Sequence, residues 1–134
     1  MIKKNLAFIV IGLSLFLISC QNDNANEEGF LNREFKLKAG QQIHFKQENL
    51  RVKFINVPKD SRCTGVCAWE GVADAAIEII GDSGKTDSLI LNTTNQRGNS
   101  TTKDFGQYEI RLIQLNSDGY IFSAYTVTLL LTKK

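Results

Sequence analysis

Five runs in this chain alternate apolar and polar side chains with a period of two, and that pattern commits it to β-structure. Ile43 and Phe45 alternate with Gln42, His44 and Lys46, and Leu50, Val52 and Phe54 with Arg51 and Lys53. Ala73, Ala75, Ile77 and Ile79 alternate with Asp74 and Glu78, and Tyr108, Ile110 and Leu112 with Glu109 and Arg111. Tyr125, Val127, Leu129 and Leu131 alternate with Thr126, Thr128 and Thr132. Successive side chains of a strand point to opposite faces, so each run can bury one face and wet the other. Phe30 to Lys38 and Ser88 to Leu91 are shorter or noisier strand runs. About seven such strands predict an all-β domain, an antiparallel β-sandwich or alternatively a small β-barrel. No stretch carries helical periodicity. Phe54-Ile55 and Ile113 break the alternation, which predicts a bulge or burial on both faces at each. Turn-forming residues at 81–84 and 116–119 predict hairpins across 81–87 and 116–120. The polar, small-residue-rich segment Asn92 to Lys103 reads as one long exposed loop.

The N-terminus has a different composition. Lys3 and Lys4 precede an apolar stretch from Leu6 to Ile18, interrupted only by Gly12 and Ser14, and then come Ser19 and Cys20. A stretch this short falls below the roughly 20 residues that a membrane-spanning helix needs. The layout is that of a secretory signal peptide. Leu17-Ile18-Ser19-Cys20 resembles the bacterial lipobox, which implies cleavage before Cys20 and a diacylglyceryl group on its thiol. Residues 1–19 are therefore expected to leave as a leader. Residues 20–29 would form an acylated cysteine and a flexible acidic tether, and residues 30–134 a single β domain. The residue after Cys20 is Gln21 rather than Asp, which by resemblance to lipoprotein sorting in Gram-negative cells implies the outer membrane.

Cleavage would also change the charge. Lys3 and Lys4 leave with the leader and no acid does, so 16 basic residues fall to 14 against 14 acids. A neutral domain with no basic run argues against nucleic acid as a partner and disfavours phosphate binding. The expected partner is the membrane, through the anchor, together with an envelope or extracellular protein or ligand.

Both remaining cysteines, the only tryptophan and two glycines fall within Asp60-Ser61-Arg62-Cys63-Thr64-Gly65-Val66-Cys67-Ala68-Trp69-Glu70-Gly71. In an exported protein, an even cysteine remainder predicts a Cys63–Cys67 disulfide, and Gly65 permits the turn it needs. A redox-active pair is the rival reading. It lacks the two-residue spacer and helix N-terminus that depress a thiol pKa. A zinc site would need two further ligands, and His44 is the only imidazole in the chain. Arg62, Trp69 and Glu70 make the segment a candidate recognition loop, since arginine and tryptophan dominate interface energetics. Alternatively, Trp69 covers the core and Arg62 satisfies a nearby carboxylate.

The run Asp60-Ser61-Arg62-Cys63, followed by Cys67-Ala68-Trp69-Glu70-Gly71, resembles a motif of small uncharacterised bacterial exported proteins and lipoproteins. There, Asp-Ser-Arg-Cys is followed by Cys-x-Trp-x-Gly. Thr64 stands where proline is common in that motif, and the spacer between the cysteines is short. The resemblance implies export and a strand-rich architecture, and no chemistry.

No catalytic constellation emerges. His44, between Ile43 and Phe45, is expected to face solvent without an orienting acid. Asp74 and Glu78 share a strand face but lie about 13 Å apart, too far for a glycosidase pair. Asp82 and Asp87 flank a glycine turn without a calcium-loop spacing. The expectation is a non-enzymatic, lipid-anchored envelope module with no cofactor besides the lipid on Cys20. An envelope thiol protein using Cys63 and Cys67, or an inhibitor of extracellular proteases or host factors, are the alternatives.

Overall fold

The computed structural model describes residues 27–62, 71–117 and 124–134. Among these residues, eight strands form two four-stranded antiparallel sheets. They are β1 (Glu34–Lys38), β2 (Gln42–Phe45), β3 (Leu50–Asp60), β4 (Ala73–Ile80), β5 (Thr86–Asn92), β6 (Thr102–Phe105), β7 (Tyr108–Ser117) and β8 (Tyr125–Lys133). One sheet has the order β2-β3-β4-β5 and the other β1-β8-β7-β6. Neither closes on itself, so the sandwich holds and the barrel does not. The only helix among the described residues is a 3₁₀ turn, Lys46–Glu48, that links β2 to β3.

The alternation sets which faces meet. Strand β4 alternates strictly, with Ala73, Ala75, Ile77 and Ile79 buried and the residues between them half-exposed. Ile43, Phe45, Leu50, Val52, Phe54 and Leu91 join them from the same sheet, and Leu37, Ile110, Leu112, Leu115, Val127, Leu129 and Leu131 from the other. Phe35 meets Phe45 edge-on across the gap, with centroids 5.3 Å apart.

Both breaks in the alternation are bulges. The β3–β4 register shifts between Phe54 and Asn56 and again between Asn56 and Lys59, and β7–β8 shifts between Leu112 and Gln114. The second shift in β3 brackets Pro58, which has no N–H to offer a ladder. These irregularities carry β3 through to Asp60, beyond the alternating run that ends at Phe54.

Three features depart from the sequence reading. An eighth strand, β6, lies in what reads as loop. It is short, only half-buried at best, and paired solely with β7 through a two-residue turn in which Gly106 takes φ 54°. The remaining crossing between sheets is hydrogen-bonded. Asn92 Oδ1 accepts from the Ser100 amide at 2.8 Å, and Asn95 Oδ1 accepts from the Thr101 amide and hydroxyl at 2.8 and 3.0 Å. Lastly, the sandwich takes in Glu27 to Gly29, which composition assigns to the tether. The Gly29 amide donates to the His44 carbonyl at 2.9 Å and the His44 amide to the Glu27 carbonyl at 3.2 Å, a short parallel bridge on the free edge of β2. A side chain at Gly29 would strike the Phe45 ring, its Cβ 2.7 Å from the nearest ring carbon.

Candidate functional site

The cysteine-bearing segment leaves β3 at Asp60 and rejoins the sheet at β4, and the residues on either side of it close its base. The Ser61 amide donates to the Val72 carbonyl at 2.9 Å. The Ser61 hydroxyl donates to that same carbonyl at 2.9 Å and accepts from the Val72 amide at 3.0 Å. Two chains this close leave no room for a side chain. A Cβ on Gly71 would sit 1.8 Å from the Ser61 carbonyl oxygen, so glycine is required there.

Asp60 and Arg62 fasten this base to the second sheet. The Arg62 Nε and backbone amide donate to Asp60 Oδ1 at 2.9 and 3.0 Å, and Nη2 donates to Oδ2 at 2.7 Å. Nη1 reaches across to the Leu115 carbonyl of β7 at 2.5 Å. Tyr125 of β8 donates its hydroxyl to Asp60 Oδ2 at 3.1 Å. Four donors thus converge on one carboxylate. They hold it to a pKa of about 2, the Arg62 side chain first among the causes, against a burial that works the other way. The same bonds raise Arg62 above its ordinary value, and burial, then Asp60, raises Tyr125. At neutral pH the carboxylate is charged and saturated with donors. That suits a clasp and leaves no basic lone pair for proton abstraction.

The other end of the sandwich is fastened in the same way. Tyr108, at the start of β7, donates to Glu48 in the 3₁₀ turn before β3, and Lys133 lies 3.5 Å from that carboxylate. The Tyr108 hydrogen bond is the foremost cause that holds Glu48 below its ordinary range.

Comparison with family models, with curated proteins and with solved structures gives no match. The site therefore rests on its own geometry.

Of the residues singled out from sequence, Arg62 is bound inward on three nitrogens and anchors the base of the segment. Cys20, Cys63, Cys67, Trp69 and Glu70 lie outside the described residues, as does the whole leader. His44 is half-exposed on the outer face of β2, directly opposite Arg51. Asp74 accepts from Asn92 Nδ2 at 2.7 Å and Asp82 from Asn49 Nδ2 at 2.6 Å, so each has a structural partner. Among the described residues, no three His, Cys, Asp or Glu side chains are grouped to hold a metal. No helix among them is long and apolar enough to cross a membrane. Sequence reasoning missed Tyr125, Ser61 and the role of Gly71. Only the glycine, fixed two residues past the tryptophan, carries a local signal of close backbone approach.

Proposed function

We propose that this chain is a lipid-anchored lipoprotein of the bacterial cell envelope, exported by residues 1–19 and acylated on Cys20. Its sandwich presents the Cys63–Cys67 segment as a non-enzymatic binding element. The clasped base of that segment is the observation that carries the reading. Asp60, Ser61, Arg62 and Gly71 close together the two chain ends that flank residues 63–70 and tie them to β7 and β8 of the other sheet. A loop fixed at its base loses less conformational freedom on binding, so anchors such as Trp69 and Glu70 would act from a preorganised platform. The Gln21 that follows Cys20 fits delivery to the outer membrane. A bridge between Cys63 and Cys67 fits the oxidising compartment outside the cytoplasm.

Anchoring is tested by metabolic labelling with tritiated palmitate. The wild-type chain is expected to take up label and to partition with membranes, and the Cys20→Ser chain to do neither. Label retained in Cys20→Ser, or absent from wild type, contradicts the proposal.

A further inference from the structure

Cations that are scattered in the sequence come together on the outer face of β2 and β3. Strand β2 turns Ile43 and Phe45 inward, which leaves Gln42 and His44 outward with Lys46 continuing the row. The β2–β3 register sets Arg51 opposite His44 and Lys53 opposite Gln42. Gln42, His44, Lys46 and Arg51 line a shallow concavity of about 360 Å³. Among the described residues, the Arg51 and His44 side chains make no hydrogen bond or ion pair. Lys46 has one loose partner, Glu28, at 3.5 Å, and its own side chain is 60 % exposed. Lys53 sits opposite Glu78 on β4, while Arg51 faces Ile80.

Against the expectation from overall charge and the absence of a basic run, we infer that this concavity is a site for a phosphate-bearing anion, either a soluble phosphate ester or the phosphate of a lipid head group. Its lining offers a guanidinium fork, an ammonium, an amide and an imidazole, a donor-rich set that matches the several oxygens of a phosphate. Arg51 can hold two of those oxygens at once, with Lys46 on a third as a point charge. Among the described residues, Glu28 is the carboxylate that reaches the row, 3.5 Å from the Lys46 Nζ, and a bound phosphate would compete with it there. The pocket is also close to the tether, because the His44 amide bonds the Glu27 carbonyl. Seven residues from Cys20 to Glu27 span at most about 25 Å, so an acylated Cys20 would keep the site within reach of the head-group layer. Only that lipid source rests on the proposed anchoring. The site itself does not.

The test follows His44 and Arg51 side-chain NMR signals in the full chain, held in phosphate-free maltoside micelles. Glycerol 3-phosphate is titrated in one arm and phosphatidylglycerol doped into the micelles in the other, with chloride at matched ionic strength as control. A saturable shift with phosphate and not with chloride is expected, and Arg51→Gln should raise its midpoint at least about tenfold. Lys46→Gln should act in the same direction, and unchanged core signals would verify that both variants fold. Saturation in the lipid arm alone assigns the site to head groups. If neither arm saturates, or neither substitution moves the midpoint, the site does not exist. Loss of acylation in Cys20→Ser would leave the soluble arm untouched, which separates this inference from the anchoring proposal.

Discussion

The Tyr125 hydroxyl lies 3.1 Å from Asp60 Oδ2 and ties the start of β8 to the end of β3, in the opposite sheet. At the far end of the same two sheets, Tyr108 and Glu48 repeat the arrangement, so a tyrosine–carboxylate bond closes each end of the sandwich. In each case a cation, Arg62 or Lys133, shares the carboxylate.

The Tyr125–Asp60 bond should be measurable on its own. Tyr125→Phe removes one hydroxyl to a charged acceptor and is expected to cost about 1–2 kcal/mol in urea unfolding. Asp60→Asn should cost more, since it also breaks the fork with Arg62. In a double-mutant cycle the two should be non-additive by more than about 0.5 kcal/mol. Strict additivity would mean that the two side chains do not interact in solution.

Acid should release the clasp. Asp60 sits at about 2 in the folded chain against an ordinary 3.8, so the unfolded chain binds the proton more readily. The stabilisation is therefore complete above the ordinary value and is lost as pH falls through about 2. For a partly exposed pair, screening leaves this on the order of 1 kcal/mol. Glu48 is depressed in the same direction and adds to the same acid limb. Urea midpoints taken from pH 5 down to pH 2 should fall in wild type, and more shallowly in Asp60→Asn.

Gly71 is set by contact with backbone. Gly71→Ala is expected to destabilise the fold by about 1–3 kcal/mol, because neither Ser61 nor its neighbour can move aside without breaking the Val72 bonds. Hydrogen exchange at the Val72 amide should accelerate in that variant. An unchanged exchange rate there would show that the base of the segment is not closed as described.

The core makes a separate demand. Phe54 is completely buried between the sheets, and Phe54→Ala should cost about 3–5 kcal/mol by calorimetry or urea titration. A loss below about 1 kcal/mol would mean that the sheets do not meet there.

How much of this could be read beforehand divides by range. The inward faces of β2, β3, β4, β7 and β8 follow from period two alone, because burial of one face is a local property of each strand. The bulges at Phe54–Asn56 and Leu112–Gln114 are likewise local, since an extra residue disrupts the alternation where it occurs. Strand β6 was hidden because four residues with two exposed in the middle have no face to show. The clasp was hidden for another reason. Asp60 and Tyr125 are 65 residues apart, and nothing near either one specifies the other. The Arg62 carboxylate partner was legible as a type of interaction, and its reach to the Leu115 carbonyl was not. The basic concavity at Arg51 and His44 depends on register, which spacing along the chain does not reveal.

The most direct measurement of the central claim is a photo-crosslink from residue 69 in intact envelopes. A photoreactive amino acid replaces Trp69 in the full chain, alone and together with Asp60→Ala, and a second probe at exposed Ile90, on edge strand β5, serves as control. A discrete adduct is expected from position 69, absent from position 90, and weakened at least about fivefold when the clasp is opened in a chain that still folds. No adduct from position 69, or one of equal yield with Asp60→Ala, would contradict the claim that the clasp presents this segment to a partner.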